Sequence, residues 1–555
     1  MEKAKGLWKD KLTGIIALLI IGAYLIVFLQ QDTGSSAPLP GWLMLTILMA
    51  IGLILIFSVM KIGRTKGTTA DDFLTGGRGV GHGMTNASIV ATWIWAATLM
   101  TSSWTAYSFG YIGPWWYGLG AVLPLPIIGF LGKRLRHVMP NVRSYPEFIS
   151  HRLDKKNHIL LTIISIVVSG VVAIMIVSGA SVMAVSYANI PYWIVAMILL
   201  IIFVSYTSIA GLWASIFCDT IMTLFMYAAM AILVFGILFS VGPGKIYDGL
   251  VNVMTTKAVL QPEATAATQE NQLDPLNIAN IGGIGFLMTN IIGNLGAVLC
   301  NQTYWVRTIA AKDDKTIMKS FGTASFCWTP IPIAVATALG LYALSQKLMV
   351  GKSYTNGGIT MLFTEADAVA PLGAFVALGV IGLLFFVIAT LGASISTGAG
   401  EIMSMTTCIV NDVYKGHLKK DATDKEILRM SKAFLWICAA LIYVIVMILR
   451  TVNFPFSGMY QAMGIAFSSA VIPVILSLAW KKTNRDGVFW AIIFGAAAGV
   501  AYWLYTGFDM NWGVVISNII VITVSTITVM GWSILKPENY IFKNVKAKEG
   551  NENAE

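Results

Sequence analysis

The sequence predicts an all-α polytopic membrane protein, and two observations lead to this fold class. Hydrophobic residues make up 57% of the 555 residues and charged residues only 12%, with a mean hydropathy of +0.75. In a soluble domain about a quarter of the residues are charged. The apolar residues also occur in runs of roughly 18–40 residues between short polar stretches, and a helix of that length spans a bilayer.

The apolar runs predict about 14 transmembrane helices. In chain order they lie at 13–30, 41–61, 84–110, 113–133, 158–187, 190–211, 213–241, 279–302, 320–346, 372–413, 428–450, 455–480, 486–506 and 512–534. The segment 372–413 is the longest, and it fits either one tilted helix or a short helix followed by a span. The largest loops, 134–157 and 242–278, are too short to build an independent core.

The net charge of +10 follows the predicted topology and does not indicate a nucleic-acid partner. With the N-terminus in the cytoplasm, alternating spans place all but five of the 37 Lys and Arg residues in cytoplasmic segments, Arg307 among them. The five on the other side are Lys245, Lys257, Lys347, Lys352 and Arg450. This asymmetry is the positive-inside rule. It predicts a multi-pass protein of the plasma (cytoplasmic) membrane, embedded in the lipid bilayer, with both termini in the cytoplasm.

The sequence offers no catalytic constellation. The motifs GxxxxGK[ST], HExxH and GxSxG do not occur, and the histidines at 82, 137, 151, 158 and 417 are expected to be scattered over the cytoplasmic side. An enzyme is therefore not expected, nor is an obligatory protein partner. Two classes remain, an ion-coupled secondary transporter and a passive channel or sensor on a transporter scaffold. A sensor normally carries a soluble signalling domain, and the tail PENYIFKNVKAKEGNENAE offers none, so a transporter is favoured.

Two acidic residues lie well inside predicted spans, where ionisable groups are costly and mark an ion or substrate pathway by default. Asp219 lies about 10 Å from the cytoplasmic end of its span, and Glu401 lies near the middle of the bilayer. Asp412, at a helix end, is interpreted as interfacial. No Lys or Arg in a span is available to pair with Glu401, so a neutral acid is expected. Glu401 is then either a proton-coupling group or an acid hydrogen-bonded to a neighbouring helix.

The stretch ASIST at 393–397 places hydroxyl groups inside the span 372–413. Ala393, Ser396 and Thr397 stand at positions i, i+3 and i+4, on one helix face. Two hydroxyls and a carbonyl can bind a hard cation such as sodium if further oxygens come from an unwound stretch of another helix. The alternative is that both hydroxyls bond back to carbonyls one turn earlier, or pack against a neighbouring helix.

Five motifs resemble the sodium:solute symporter family and occur in the family's order over nearly the whole chain. They are GGRGVGHGMTNASIVATWIWAATL (76–99), YTSIAGLWASIFCDT (206–220), NQTYWVRTIAAK (301–312), ASISTGAGEIMSMTTCIVNDVY (393–414) and AWKKTNRDGVFW (479–490). Two details, TWIWAATL followed by GPWWYGLGA and the run GNLGAVLCNQTYWVR, resemble its urea active transporter branch.

The resemblance implies a LeuT-type core of five plus five helices in inverted repeat over 76–482. Two peripheral helices precede it within 1–75, two follow within 483–535, and 536–555 is a cytoplasmic tail. The resemblance alone implies a break in ATWIWAAT (91–98), because this stretch has no Gly or Pro. The glycines of IGGIGFLMTNIIGNLG (281–296) predict a break in the pseudo-symmetric sixth core helix.

The resemblance also implies a sodium site, with Na+ as the coupling ion and no organic cofactor. Its ligands are the carbonyls of Ala91, Ile94 and Ala393 and the hydroxyls of Ser396 and Thr397. Asp219 matches an acid just cytoplasmic of this site that guides or holds a cation. Its alternative role is that of a helix-end carboxylate bonded to the backbone.

A solute cavity is implied as well, lined by Trp93, Thr98, Trp116, Asn294 and Tyr460. The family's sugar carriers mostly use Asn, Glu and Gln there, whereas an aromatic box with one amide suits a small planar solute. Urea is the expected solute. Proton coupling, and a polyamine or another small organic solute, remain alternatives, and each aromatic residue fits equally a role at the membrane interface or in packing.

Overall fold

The computed structural model describes residues 37–63, 65–258, 260–261, 274–452, 463–465, 467–510 and 512–542. Within these ranges the chain is a bundle of α-helices with one two-stranded hairpin. The predicted span 13–30 lies outside the described residues, and so does much of the first half of the predicted span 455–480.

The helices of the first half follow one another closely. They are α1 (Gly41–Ile62), α2 (Ala70–Thr75), α3 (His82–Trp93), α4 (Ala96–Phe109), α5 (Gly113–Val122), α6 (Pro124–Val138), α7 (Tyr145–Arg152), α8 (Lys155–Ala188), α9 (Tyr192–Ala210), α10 (Leu212–Ser240) and α11 (Pro243–Thr256).

The second half contains the hairpin and the remaining helices. In chain order these are α12 (Ile281–Leu299), α13 (Gln302–Ala310), α14 (Asp314–Trp328), α15 (Pro330–Ala336), α16 (Tyr342–Ser345), β1 (Ser353–Asn356), β2 (Ile359–Leu362), α17 (Val369–Thr407), α18 (Asp424–Thr451), α19 (Val471–Ala479), α20 (Arg485–Tyr505) and α21 (Trp512–Leu535). A π-helical segment, Cys408–Leu418, continues α17.

Eleven helical segments within the described residues are long and apolar enough to cross a membrane. The prediction of a polytopic α-helical protein is therefore confirmed. The predicted spans 84–110 and 113–133 correspond to α3 followed by one helical run, Ala96–Val138, which contains α4, α5 and α6.

The chain leaves the helical conformation between α3 and α4. Ile94 (φ −90°, ψ 96°) and Trp95 (φ −88°, ψ 163°) are extended. The Trp95 amide donates to Thr98 Oγ1 (3.0 Å), and the Thr98 amide donates to the Trp95 carbonyl (2.9 Å). These two amides would bond Ala91 and Ile94 in a continuous helix. The break implied by the resemblance is therefore present, and a threonine side chain stabilises it in place of Gly or Pro.

A second break separates α12 from α13, and the predicted position was wrong. The glycines of 281–296 lie inside an unbroken α12, and the break follows at Cys300–Asn301, where the Asn301 side chain caps α13. Two of these glycines allow close packing instead. A Cβ at Gly296 would lie 3.1 Å from Phe467, and one at Gly293 would lie 3.7 Å from Gly464.

The long predicted segment 372–413 is a short helix followed by a span, the second of the two alternatives. Gly379 (φ 65°, ψ −152°) interrupts α17. The Asn356 amide group, at the hairpin, donates to the carbonyls of Phe375 (3.1 Å) and Val376 (3.0 Å) and so satisfies the end of the short helix.

The two broken helices lie together at one end of the bundle. The Val80 amide donates to the Ala310 carbonyl, and the Lys312 amide donates to the Val80 carbonyl, both at 3.0 Å. This bridge ties the segment before α3 to the end of α13. Helix α17 packs against α4, α8, α9 and α10, so the hydroxyl-rich segment 393–397 is held in the interior of the bundle.

Candidate functional site

The break after α3 faces the hydroxyl-rich part of α17. Thr397 Oγ1 donates to the Thr92 carbonyl at 3.2 Å. The same carbonyl accepts from the indole N–H of Trp95 (2.8 Å) and from the Tyr304 hydroxyl (3.4 Å). The five predicted sodium ligands (Ala91, Ile94, Ala393, Ser396 and Thr397) come from these two elements and are all buried. Their donor set of neutral hydroxyl and carbonyl oxygens suits a hard cation.

Ser396 contacts Asp219 and not its own helix. Its hydroxyl donates to Asp219 Oδ1 at 2.6 Å, and Ser88 Oγ donates to Asp219 Oδ2, also at 2.6 Å. Asp219 is fully buried two turns into α10, and its partners are side chains of other helices. The alternative of a helix-end carboxylate bonded to the backbone does not describe this geometry.

Arg307 completes the Asp219 cluster, and its predicted place in a cytoplasmic segment was wrong. The fully buried guanidinium donates from Nη2 to Asp219 Oδ2 (3.0 Å) and from Nε to Ser88 Oγ (2.9 Å). Arg307 is thus a basic residue buried in the bundle, and its ion-pair partner is Asp219. Hydropathy ends the span at 302, because the half-helix α13 (QTYWVRTIA) is polar although every residue in it is buried.

Glu401 is fully buried and accepts hydrogen bonds from neutral groups. Asn301 Nδ2 lies 3.0 Å from both of its carboxyl oxygens, and Thr303 Oγ1 donates to Oε2 at 2.8 Å. Ser169 Oγ in turn donates to Asn301 Oδ1 (2.9 Å). Within the described ranges no basic side chain forms an ion pair with Glu401. Asn301 and Thr303 were not predicted as its partners, although an Asn followed by Thr after an apolar run is a helix-cap signal.

Three of the predicted solute residues, Trp93, Thr98 and Asn294, line one small cavity between α3, α4 and α12. The other lining residues are Trp95, Tyr117, Ala121 and Trp328. The volume is about 10 Å³, room for roughly one water molecule. None of the lining side chains is charged.

The indole N–H groups around this cavity bond to the backbone. Trp93 donates to the Ala121 carbonyl (2.9 Å), and Trp328 donates to the Trp93 carbonyl (2.8 Å). Trp93 also meets Trp95 edge-on, with ring centroids 5.4 Å apart. The rings therefore present their apolar surfaces to the cavity in fixed orientations.

Trp116 does not line the cavity. Its ring packs against Gly283 of α12, where an added Cβ would lie 3.0 Å from the indole. Adjacent residues on a helix point about 100° apart, so Tyr117 reaches the cavity instead. Tyr460 lies outside the described residues. Sequence reasoning missed Trp95 and Tyr117, each next to a predicted residue, and Trp328, which no motif marks.

The expectation of scattered histidines was wrong for two of them. His158 Nδ1 lies 3.1 Å from His417 Nε2, because the start of α8 faces the end of the π-helical segment. Asp412, interpreted as interfacial, is buried beside them.

Two sequence comparisons with known proteins place the chain among membrane transporters. A sequence model described as "Sodium:solute symporter family" matches residues 73–495. The chain is 28% identical over 449 residues to the "Urea-proton symporter DUR3" of Oryza sativa subsp. japonica, covering 79% of this chain and 61% of that protein. It is 23% identical over 482 residues to the "Urea active transporter" of Saccharomyces cerevisiae, covering 84% and 64%. The chain thus spans less than two thirds of the length of these two curated relatives.

A solved structure shows the same fold. A Na+-coupled sialic acid symporter, in its substrate-bound outward-open state, superposes with a TM-score of 0.70 at 16% identity, covering 89% of this chain and 99% of the other.

Proposed function

The chain belongs to the sodium:solute symporter family, and we propose that it imports a small neutral solute, urea in the first place, together with a coupling cation. The observation that carries this proposal is the meeting of the α3–α4 break with α17. There, backbone carbonyls and the hydroxyls of Ser396 and Thr397 lie next to an uncharged aromatic cavity.

The proposed architecture is a LeuT-type core of five plus five helices over 76–482, within 14 spans in all. The breaks after α3 and α12 support it, because each would lie in the first helix of one repeat. Both termini are proposed to lie in the cytoplasm and the protein in the plasma membrane, from the distribution of Lys and Arg.

Sodium is the proposed coupling ion, bound by the carbonyls of Ala91, Ile94 and Ala393 and the hydroxyls of Ser396 and Thr397. The amides of Trp95 and Thr98 bond elsewhere, which supports Ala91 and Ile94 as carbonyl ligands. Asp219 is proposed as the accessory acid, since it accepts from the Ser396 hydroxyl and draws the cation toward that side. Its charge is balanced by Arg307, so the site favours a monovalent cation over a divalent one.

Protons are the second candidate coupling ion, with Glu401 as the carrier. The observation that favours them is a fully buried carboxyl group held only by neutral donors, two helical turns from Ser394 on the same helix. The rice relative is itself named a urea-proton symporter.

Glu401→Gln tests this alternative. If Glu401 carries a proton, the variant should lose most of the pH dependence of urea uptake but still exchange pre-bound urea, because Gln is fixed in the neutral form. Thr407→Val is the matched control, since the Thr407 hydroxyl donates to its own helix at the Met403 carbonyl (2.9 Å). A Glu401→Gln protein with the wild-type pH profile of uptake would assign Glu401 a structural role.

The proposed solute follows from the cavity. Urea is planar and neutral, so it can lie against the ring of Trp93 or Trp328 while Asn294 bonds its edge. A polyamine would need a carboxylate, and a carboxylate solute would need a cation. The nearby ionised pair, Asp219 and Arg307, is already neutralised internally. Since the cavity has room for about one water molecule, urea enters only when the bundle opens.

The deciding experiment is uptake of labelled urea into proteoliposomes under sodium and proton gradients imposed separately. We expect urea to accumulate above its equilibrium level under at least one gradient and to leak out when an ionophore is added. Accumulation of spermidine or proline but never of urea would refute the solute. Equilibration of urea without accumulation under either gradient would indicate a passive channel and refute symport.

A further inference from the structure

A polar pocket of about 540 Å³ lies at the end of the bundle proposed to face the cytoplasm. It is lined by α7, the first turn of α8 and the π-helical segment Cys408–Leu418. Its rim includes the exposed residues Ser150, His151, Lys155 and Lys420, so it opens to water. The pocket is separate from the solute cavity at Trp93.

Three titratable side chains that line this pocket form a hydrogen-bonded series, from the partly exposed His417 to a buried carboxyl group. His417, partly exposed, places Nε2 at 3.1 Å from Nδ1 of the buried His158. On its other edge, His158 Nε2 lies 3.4 Å from Oδ1 of Asp412, which is 1% exposed. One imidazole thus bridges a second imidazole and a buried carboxyl group.

The geometry fixes where the protons of this chain lie. Because His158 Nε2 faces a carboxylate, it carries a hydrogen, and Nδ1 of the neutral ring is then an acceptor. His417 Nε2 must therefore donate to it. If one proton is added, His158 becomes an imidazolium that donates at Nε2 to Asp412 and at Nδ1 to His417. The chain holds the extra proton with both hydrogen bonds kept and no heavy atom moved.

One oxygen of the Asp412 carboxyl group lacks a hydrogen-bond donor in the described part of the chain. Its Oδ1 accepts from Ser144 Oγ at 2.7 Å, whereas its buried Oδ2 has no hydrogen-bond partner within the described part of the chain. A buried carboxylate oxygen without a donor is costly. When Oδ1 receives the His158 hydrogen, the carboxyl group becomes neutral, and leaving Oδ2 without a donor then costs less.

The other charged groups around His417, His158 and Asp412 lie in two sets, one near His417 and one near Asp412. Lys155, Lys415 and Lys420 line the pocket at the outer, His417 end. Glu147 of α7 lies at the inner end, where burial and the neighbouring Asp412 raise its pKa. His151 lines the same pocket, and within the described residues no hydrogen bond joins it to His417, His158 or Asp412. The lysines disfavour a proton resting on His417, and the two acids favour its movement inward.

We propose that His417, His158 and Asp412 form a proton-transfer chain between the water of the cytoplasmic pocket and the buried carboxyl group of Asp412. A proton from water binds Nδ1 of His417, its Nε2 hydrogen passes to Nδ1 of His158, and the Nε2 hydrogen of His158 passes to Asp412. Release runs the same steps in reverse. This inference rests on the proposed symport and adds protons to the ions that move during the cycle.

The test compares His158→Gln and His417→Gln with His151→Gln, a histidine of the same pocket outside the chain. Each protein is reconstituted into liposomes with a trapped pH dye, and a urea gradient is applied. We expect the two chain variants to lose at least about tenfold in urea-driven proton movement while urea–urea exchange stays within about twofold, because exchange needs no proton release. His151→Gln should match the wild type in both.

Equal proton movement in all four proteins would overturn the proposal. So would wild-type urea uptake without proton movement, a result that leaves symport itself intact.

A second measurement is independent of transport. The protein has five histidines, so isotope-labelled histidine gives few ring signals in solid-state NMR of the reconstituted protein. We expect both neutral rings to carry hydrogen at Nε2, and each substitution in the pair to change the titration of the other ring. If the two imidazole rings titrate independently, the proposed proton-transfer chain is refuted. This result holds even if urea proves to be the wrong solute.

Discussion

Single side chains decide the electrostatics of the bundle interior, and the Asp219–Arg307 pair is the main case. Its two charges are fully buried and linked at 3.0 Å, with Ser88 and Ser396 bonding to the carboxylate. Removing one partner of a buried pair leaves the other charge unpaired in a low-dielectric region. The intact pair contributes little net free energy to folding, because the cost of desolvating the two charges offsets their attraction.

Asp219→Asn should therefore destabilise the protein by about 3–5 kcal/mol, and Asp219→Asn with Arg307→Gln should recover part of the loss. The measurement is the thermal unfolding midpoint of purified protein in detergent. Lys419→Gln, which breaks the exposed pair with Glu426 at 2.7 Å, is the control and should leave the midpoint unchanged. Equal midpoints for Asp219→Asn and Lys419→Gln would contradict the account of Asp219.

Ser396→Ala with Thr397→Ala tests the proposed cation site. We expect the sodium concentration for half-maximal uptake to rise at least tenfold, because each lost oxygen is worth about 1.5–3 kcal/mol against a charge. Ser394→Ala is the matched control, since its hydroxyl bonds within α17 to the Thr390 carbonyl at 2.8 Å. Unchanged sodium dependence in the double variant would remove both hydroxyls from the site.

At the scale of elements, three helices are interrupted, and each break is held by different chemistry. Thr98 stabilises the break after α3, the Asn301 side chain caps the start of α13, and a glycine interrupts α17. Only the glycine break uses a backbone conformation that other residues avoid. At φ 65° and ψ −152°, Gly379 lies in a region that is essentially restricted to glycine.

Gly379→Ala should cost about 1–3 kcal/mol in stability, because a Cβ is strained at this conformation. Gly322→Ala in α14 is the control. It has open space around its Cβ and should be neutral or slightly stabilising, since Ala is the better helix former. Thermal unfolding of both variants decides, and a Gly379→Ala protein as stable as the Gly322→Ala protein would show that the interruption carries no strain.

At the scale of the whole molecule, the segment after α21 crosses the end of the bundle and ties distant elements together. Arg152 of α7 donates to the Thr483 carbonyl (3.0 Å), pairs with Glu538 (3.7 Å) and stacks on Tyr540 at 4.4 Å from the ring centre. Arg152 is 2% exposed, although it lies in the charged segment 134–157 that the sequence predicts as a loop.

Arg152→Ala should lower stability by about 2–4 kcal/mol, from the lost charged hydrogen bond and cation–π contact. Arg485→Ala removes the other, exposed partner of the same Glu538 (2.9 Å) and should cost at most about 1 kcal/mol. Limited proteolysis near residue 538, read beside thermal unfolding, reports whether the segment has detached. If Arg152→Ala and Arg485→Ala lose the same stability, the conclusion that the buried Arg152 contributes more than the exposed Arg485 is wrong.

The sequence by itself determined the membrane class, the family and which segment carries the hydroxyls at 393–397. These follow from hydropathy runs and short motifs, which are local properties of the chain. The same reasoning found Asp219 and Glu401, because an acid inside an apolar run is visible without any fold.

Only the tertiary structure decided which residues meet. In the structure, Arg307 lies in the Asp219 cluster and not in a loop, and Tyr117 lines the cavity in place of Trp116. His158 lies next to His417 and Asp412. Each of these depends on where a helix breaks or how it is rotated. A break held by a nearby Thr or Asn side chain leaves no periodic signal, because such residues are also common inside helices. A rotation set by packing across the bundle leaves none either, because the packing partners lie tens to hundreds of residues away.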